Sequence, residues 1–365
     1  MQRASRVVLF GAALALAASA VYGGWRAHSR IVSAAEPASP ALERAVSSVA
    51  PGPATLTDPL SPERPATLDE EPRPDAGSWV KARPGFQYSR SAAERGGVEP
   101  CALAEGDTSS FSDWTLIGLG KLSAPRSLDL GESGDFELII HLNGDVPVRR
   151  ELIKSGQPFV LYALTLDPSQ SYAPIFTGAQ VYGAMVSAIE QAMTQRAGRP
   201  AHARRVALSA WSAGFVGIEA ALAQPQSKDV DAVILIDGLH APRGDQAAFK
   251  AQLDPFLSYA RRAAAGERFM VVSHSSIDPP NFASTTECAH YLIAALGGTP
   301  LAVRRADPLG LELVEYYSRG GFQVRGYAGN DKADHCAQLA VLRTVFSALG
   351  RRWAERAAAP SAARP

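Results

Sequence analysis

Between residues 95 and 355, short apolar runs alternate with stretches whose apolar residues recur at helical spacing. The runs at 114–119, 136–142, 159–165, 205–210, 230–237, 269–273, 311–316 and 322–327 read as strands. Several are almost continuously apolar, the pattern of a strand covered on both faces. Helical spacing fills 179–196, 213–223, 246–265, 285–296 and 334–349. Alternation of the two patterns predicts an α/β domain, a mostly parallel sheet with helices on both faces. Ser318-Arg-Gly-Gly321 reads as a hairpin loop, which adds an antiparallel pair late in the chain.

The pattern is absent outside that domain. A short basic segment, Met1 to Arg6, precedes a nearly uninterrupted apolar stretch at 7–24, with Ala18-Ser-Ala20 as a small-residue cleavage pattern. Residues 1–24 therefore read as a signal peptide or as a membrane anchor, since such a stretch is just long enough to span a bilayer. Either way the product is expected to be exported, to the periplasm or outside the cell. Residues 25–94 carry prolines at 37, 40, 51, 53, 59, 62, 65, 72 and 74 and show no apolar periodicity. Such a segment cannot bury enough surface to offset its ordering entropy and is expected to be a disordered linker. Residues 356–365 read as a disordered tail.

Composition narrows the picture further. A 46% apolar content supports a real core, and a formal charge of zero gives no reason to expect a nucleic-acid partner. Three cysteines, Cys101, Cys288 and Cys336, in an exported chain predict one disulfide and one free thiol. Their pairing is open, and three buried thiols is the competing reading.

The chemistry is concentrated at Val206-Ala-Leu-Ser-Ala-Trp-Ser-Ala-Gly-Phe215. An apolar run ends at Ser212, small residues flank it at Ala210, Ala213 and Gly214, and helical spacing follows. A serine at the apex of a tight strand-to-helix turn stands clear of the sheet, and small neighbours let the two backbones approach. The stretch resembles the nucleophile elbow of the α/β-hydrolase superfamily, with Ala210 where that motif usually has its first glycine. The resemblance covers 113–349. It implies an α/β-hydrolase-like sheet and a triad in the chain order serine, acid, histidine.

A serine hydroxyl needs a base, a group that orients the base, and donors for the developing oxyanion. His335 follows the last expected strand and opens the last helix, where the superfamily's histidine lies. Two acids compete. Asp278 lies past the strand at 269–273, in a loop stiffened by Pro279-Pro280. Asp237 ends the strand before it, and Glu287 is a more distant candidate. For the oxyanion, the resemblance points to the amide of Ala213 and to a second amide from Leu142 or Asn143, beside Gly144. His240, His274, Asp237 and Asp278 lie beyond strand ends but lack metal-ligand spacing, so no catalytic metal and no cofactor are expected.

Between 237 and 269 there is room for one helix, so no large cap is expected there; 279–321 is expected to form a small lid or rim. Trp211, Tyr172 and Phe176 are candidates for an apolar acyl or aromatic pocket. The expected function is an exported serine hydrolase acting on a small-molecule or polymeric carboxylic ester, with a membrane tether if the leader is retained. An acyltransferase or amidase using the same triad is one alternative. A non-catalytic envelope binding module on the same fold is the other.

Overall fold

The structure is a computed structural model of the 365-residue chain and describes residues 105–167, 170–306 and 311–358. The expected leader and linker, Cys101 and the end of the expected tail lie outside these residues. The strands are β1 Thr115–Ile117, β2 Gly120–Ser123, β3 Asp135–Leu142, β4 Val160–Leu164, β5 His202–Trp211, β6 Val230–Ile236, β7 Ala241–Pro242, β8 Phe269–His274, β9 Phe282–Ala283, β10 Leu301–Ala306, β11 Glu312–Arg319 and β12 Phe322–Tyr327. The helices are α1 Asp145–Ser155, α2 Val181–Ala197, α3 Phe215–Leu222, α4 Gln246–Ala264, α5 Thr285–Ala295, α6 Lys332–Ala337 and α7 Val341–Ala358.

Ten strands form one sheet in the order β1-β2-β4-β3-β5-β6-β8-β12-β11-β10. The run from β4 to β12 is parallel, and antiparallel strands finish both edges. Side chains alternate between two cores. Leu138, Ile140, Leu208, Val233, Leu235 and Val272 face α2 to α5. Ile139, Ala207, Ile234, Ile236 and Val271 face α1 and α7. Because both faces are covered, these strands carry no polar face to solvent, hence the continuous apolar runs. This is the expected mostly parallel α/β sheet, with helices on both faces.

Several expectations need correction. The run at 114–119 is broken by Gly118, whose φ of +58° turns the chain into the β1–β2 hairpin. The helix expected at 334–349 is three pieces, α6, a 3₁₀ turn at Gln338–Ala340, and α7. Helix α7 runs to Ala358, into the segment expected to be a tail. Instead of a lid, the described part of 279–321 supplies β9, α5 and the β10–β11 pair at the sheet edge. Helix α1 and strand β10 were not expected. The hairpin at 318–321 joins β11 and β12. Cys336 is disulfide-bonded, and Cys288 is a buried free thiol. Among the described residues no helix is long and apolar enough to cross a membrane.

Candidate active site

Strand β5 ends at Trp211, a 3₁₀ turn spans Ser212–Gly214, and α3 begins at Phe215. Ser212 sits at the apex with φ of +53°, a left-handed conformation that costs a non-glycine residue about 1–2 kcal/mol. Neighbouring glycines permit the turn. A Cβ on Gly214 would lie 2.3 Å from the Leu142 carbonyl oxygen, and one on Gly238 would lie 2.3 Å from that of Ser212. The second glycine escaped the sequence reading; Asp237-Gly238 directly after an apolar run is the signal that carried it.

Of the two leading acids, Asp237 is the one that meets the histidine. It follows β6 with φ of +43° and is buried. Its Oδ2 accepts a 2.7 Å hydrogen bond from His335 Nδ1. Its Oδ1 accepts from the Ser275 amide at 2.7 Å and the Thr285 hydroxyl at 3.0 Å. Burial alone would raise its pKa; the bond to His335, that residue's charge and the Ser275 donors outweigh burial and hold the carboxyl below its usual range. Asp278 is elsewhere. Its side chain is 75% exposed and its Oδ1 takes a 2.6 Å bond from Arg243. Glu287 binds the same guanidinium at 2.7 Å and also caps α5 through Ser284. The loop stiffened by Pro279-Pro280 thus directs Asp278 to the surface pair instead of the interior.

His335 is in α6, whose N-terminus is fixed by a capping box between Asp331 and Asp334. Its carbonyl accepts from Trp211 Nε1 at 3.2 Å, and its ring stacks on the Trp211 indole at 4.7 Å between centroids. With an ionised Asp237 on Nδ1, that nitrogen carries the proton and Nε2 is left as the basic lone pair. Asp237 and His335 meet directly, whereas Ser212 is linked to them only through chain neighbours, Trp211 against His335 and Gly238 against Ser212.

The oxyanion side differs from expectation. The Ala213 amide belongs to the first turn after Ser212, where a helix N-terminus leaves N–H groups without intrahelical acceptors. The Asn143 amide, by contrast, donates to the Leu164 carbonyl at 2.9 Å. The amides of Gly144 and Asp145 both donate to Thr165 Oγ1 at 3.0 Å. Leu142 lies within β3, in register with Leu164 and Ala210. Asn143 acts instead as a brace. It has φ of +73°, and its side-chain amide donates to the Trp211 carbonyl at 3.2 Å. Beneath it, buried His141 reaches Ser209 Oγ and the Asn143 carbonyl, each at 2.9 Å. A carbonyl only accepts, so His141 donates from Nε2 and is neutral; burial pushes its pKa down to about 4.

The expected pocket residues also separate. Tyr172 and Phe176 are buried in the core against Gly217 of α3, and the Tyr172 hydroxyl is tied to the Leu164 carbonyl. Trp211 alone of the three touches a triad candidate. A second aromatic group was missed. Phe282 is 40% exposed, packs on His240 at 4.6 Å, and His240 packs on Phe215 at 6.0 Å. The β7–β9 pair brings these residues together, and no local sequence pattern announces a two-residue bridge.

No protein-family model and no curated protein matches the sequence. Solved structures do overlap it at low identity. Carboxyl esterase 2 of the mycorrhizal fungus Tuber melanosporum is 12% identical with a TM-score of 0.39, over 68% of this chain and 88% of that one. An esterase from Pyrobaculum calidifontis is 14% identical with a TM-score of 0.38, over 68% and 86%. An uncharacterised protein from Capnocytophaga ochracea is 11% identical with a TM-score of 0.38, over 65% of this chain and 63% of that protein's length. The α/β assignment rests on the sheet order described above and not on these overlaps.

Proposed function

We propose that this chain is an exported serine hydrolase of carboxylic esters. The observation that carries the reading is the bond between buried Asp237 and half-buried His335, set against a serine held in a left-handed turn. In this reading Ser212 Oγ attacks the ester carbonyl while His335 Nε2 takes its proton. Asp237 holds the imidazole and stabilises the imidazolium. The Ala213 amide, at a helix N-terminus, stabilises the oxyanion. His335 then protonates the departing alkoxide, leaving an acyl-enzyme. Water, deprotonated by His335, releases the acid and restores Ser212.

Substrate size follows from exposure. Ser212 is half-buried, Ala213 is exposed, and the Phe282–His240 pair offers an apolar surface open to solvent. An open site of this kind suits bulky or polymeric esters. The basic-then-apolar segment at 1–24 supports export to the periplasm or beyond, with a tether if it is retained.

One observation favours the non-catalytic module: the amides of Asn143, Gly144 and Asp145 are all hydrogen-bonded within the protein. A fluorophosphonate probe separates the two readings. The hydrolase reading expects the folded protein to label, and its Ser212→Ala variant not to. A folded parent that stays unlabelled overturns it.

A further inference from the structure

The end of β8 and the middles of α5 and β11 bring together three side chains that the proposed triad does not use. They are His274, His290 and Glu315, whose ligating atoms lie within 4.8 Å of one another. His274 Nε2 and His290 Nε2 each lie 2.7 Å from the same oxygen, Glu315 Oε1. His274 is buried, and His290 is 43% exposed. The close approach of His274 and Glu315 depends on Gly326 between them. A Cβ there would lie 2.4 Å from Glu315 Cγ and 2.5 Å from His274 Cε1.

The hydrogen bonds behind His274 decide its tautomer. Thr286 Oγ1 is 2.8 Å from the Ser275 carbonyl and 2.9 Å from His274 Nδ1. A carbonyl only accepts, so the threonine hydroxyl gives its one proton there. Its lone pair then accepts from His274 Nδ1–H. That leaves Nε2 as a bare lone pair facing a carboxylate oxygen at 2.7 Å. Two lone pairs approach so closely only with a cation between them, either a second proton or a metal ion.

We infer that His274, His290 and Glu315 form a binding site for a divalent transition metal, and that Zn²⁺ is its best-matched occupant. Two imidazole nitrogens and one carboxylate are a zinc donor set, with a fourth position left for water. His290, 43% exposed, is the cluster's solvent-facing member. Zinc bonds of about 2.0–2.1 Å place tetrahedral ligands roughly 3.3 Å apart, so the two 2.7 Å separations from Glu315 Oε1 need to open by only about half an ångström, and the three ligating atoms already lie within 4.8 Å of one another. Thr286 is the outer partner that fixes a ligating histidine's ring and tautomer. The ion would join segments that also hold Asp237, since Ser275 follows His274, Thr285 precedes Thr286, and both donate to Asp237 Oδ1. Metal binding itself does not depend on the hydrolase reading.

The test uses the full chain without a polyhistidine tag, stripped with a chelator and titrated with Zn²⁺ by calorimetry. One equivalent is expected to bind with a micromolar or tighter Kd and to raise Tm. His290→Ala and Glu315→Gln should abolish that binding, with circular dichroism reporting that both variants fold. Thr286→Val should weaken binding by about 10–100-fold, as loss of an outer partner does. His335→Ala and His202→Ala should bind as the parent does, which separates this site from the triad and from surface histidines. If the parent takes up no zinc, or if His290→Ala and Glu315→Gln bind as the parent does, the inference is overturned and the cluster is a proton-held ion pair.

Discussion

Asp237→Asn tests the proposed triad without disturbing its packing. The asparagine Oδ1 can keep the bonds from the Ser275 amide and the Thr285 hydroxyl. Its NH₂ then faces His335 Nδ1, where the carboxylate accepted at 2.7 Å. Two donors cannot share that contact, so the imidazole moves its proton to Nε2 and loses the lone pair that should activate Ser212. In the Ser-His-Asp template this wrong tautomer lowers kcat about ten-thousand-fold, or about 5 kcal/mol of transition-state stabilisation. Stability should change far less. One charge-assisted hydrogen bond, about 2 kcal/mol, is lost, and the lower desolvation cost of a neutral amide offsets part of it. The sign with pH follows from the depressed carboxyl pKa. Its contribution is present above the ordinary carboxylate range and is lost as pH falls through the lower folded value. The assay is the rate of fluorophosphonate labelling and of aryl-ester hydrolysis at pH 7, with thermal melts alongside. Asp278→Asn is the comparator. It removes an exposed pair with Arg243, worth under about 1 kcal/mol, and should change the rates by less than about twofold. Loss of activity in Asp278→Asn with a near-parental Asp237→Asn would refute the reasoning.

Ser212→Gly removes a side chain from a φ of +53° and should raise stability by about 1 kcal/mol, read as a higher Tm, while abolishing labelling. Neutral His141 should make stability fall between about pH 6.5 and its depressed value of about 4, by about 3 kcal/mol in all, because the unfolded chain binds a proton there that the fold resists. His141→Asn should flatten that part of the curve of Tm against pH.

The elbow was legible because its requirements are local. An apolar run, small neighbours and a serine are all that a strand-to-helix turn demands. The choice of acid was not legible, since Asp237 and Asp278 both follow strands and differ in which donors surround them. Those donors, Ser275 just past β8 and Thr285 of α5, meet Asp237 only in three dimensions. Helix α1 was hidden because its buried face carries charge. Arg149 is buried against Glu105 at 2.5 Å and over the Trp114 ring at 4.4 Å. Glu151 is buried between Arg150 at 2.7 Å and Arg343 at 2.9 Å. Paired charges inside a helix erase the apolar stripe that reveals one. The expectation of a second oxyanion amide at Asn143 failed for a similar reason: the partners of the Asn143 and Gly144 amides, Leu164 and Thr165, lie about twenty residues away in sequence.

Among the described residues, three non-glycine positions have positive φ: Asn143, Ser212 and Asp237. They end or follow β3, β5 and β6, which are adjacent in the sheet. Parallel strands all finish at one edge, so three sharp reversals there place three side chains side by side. Glycine would relieve about 1 kcal/mol or more at each reversal. A residue with a side chain is accounted for only if that side chain makes contacts glycine cannot. Two of the three are visible. Asn143 holds the Trp211 carbonyl, and Asp237 holds His335. Ser212 is the remaining one, half-buried at the apex, and strain tends to gather at functional sites. In the hydrolase reading proposed above that side chain is the attacking nucleophile, and the braces on either side explain why the turn stays strained.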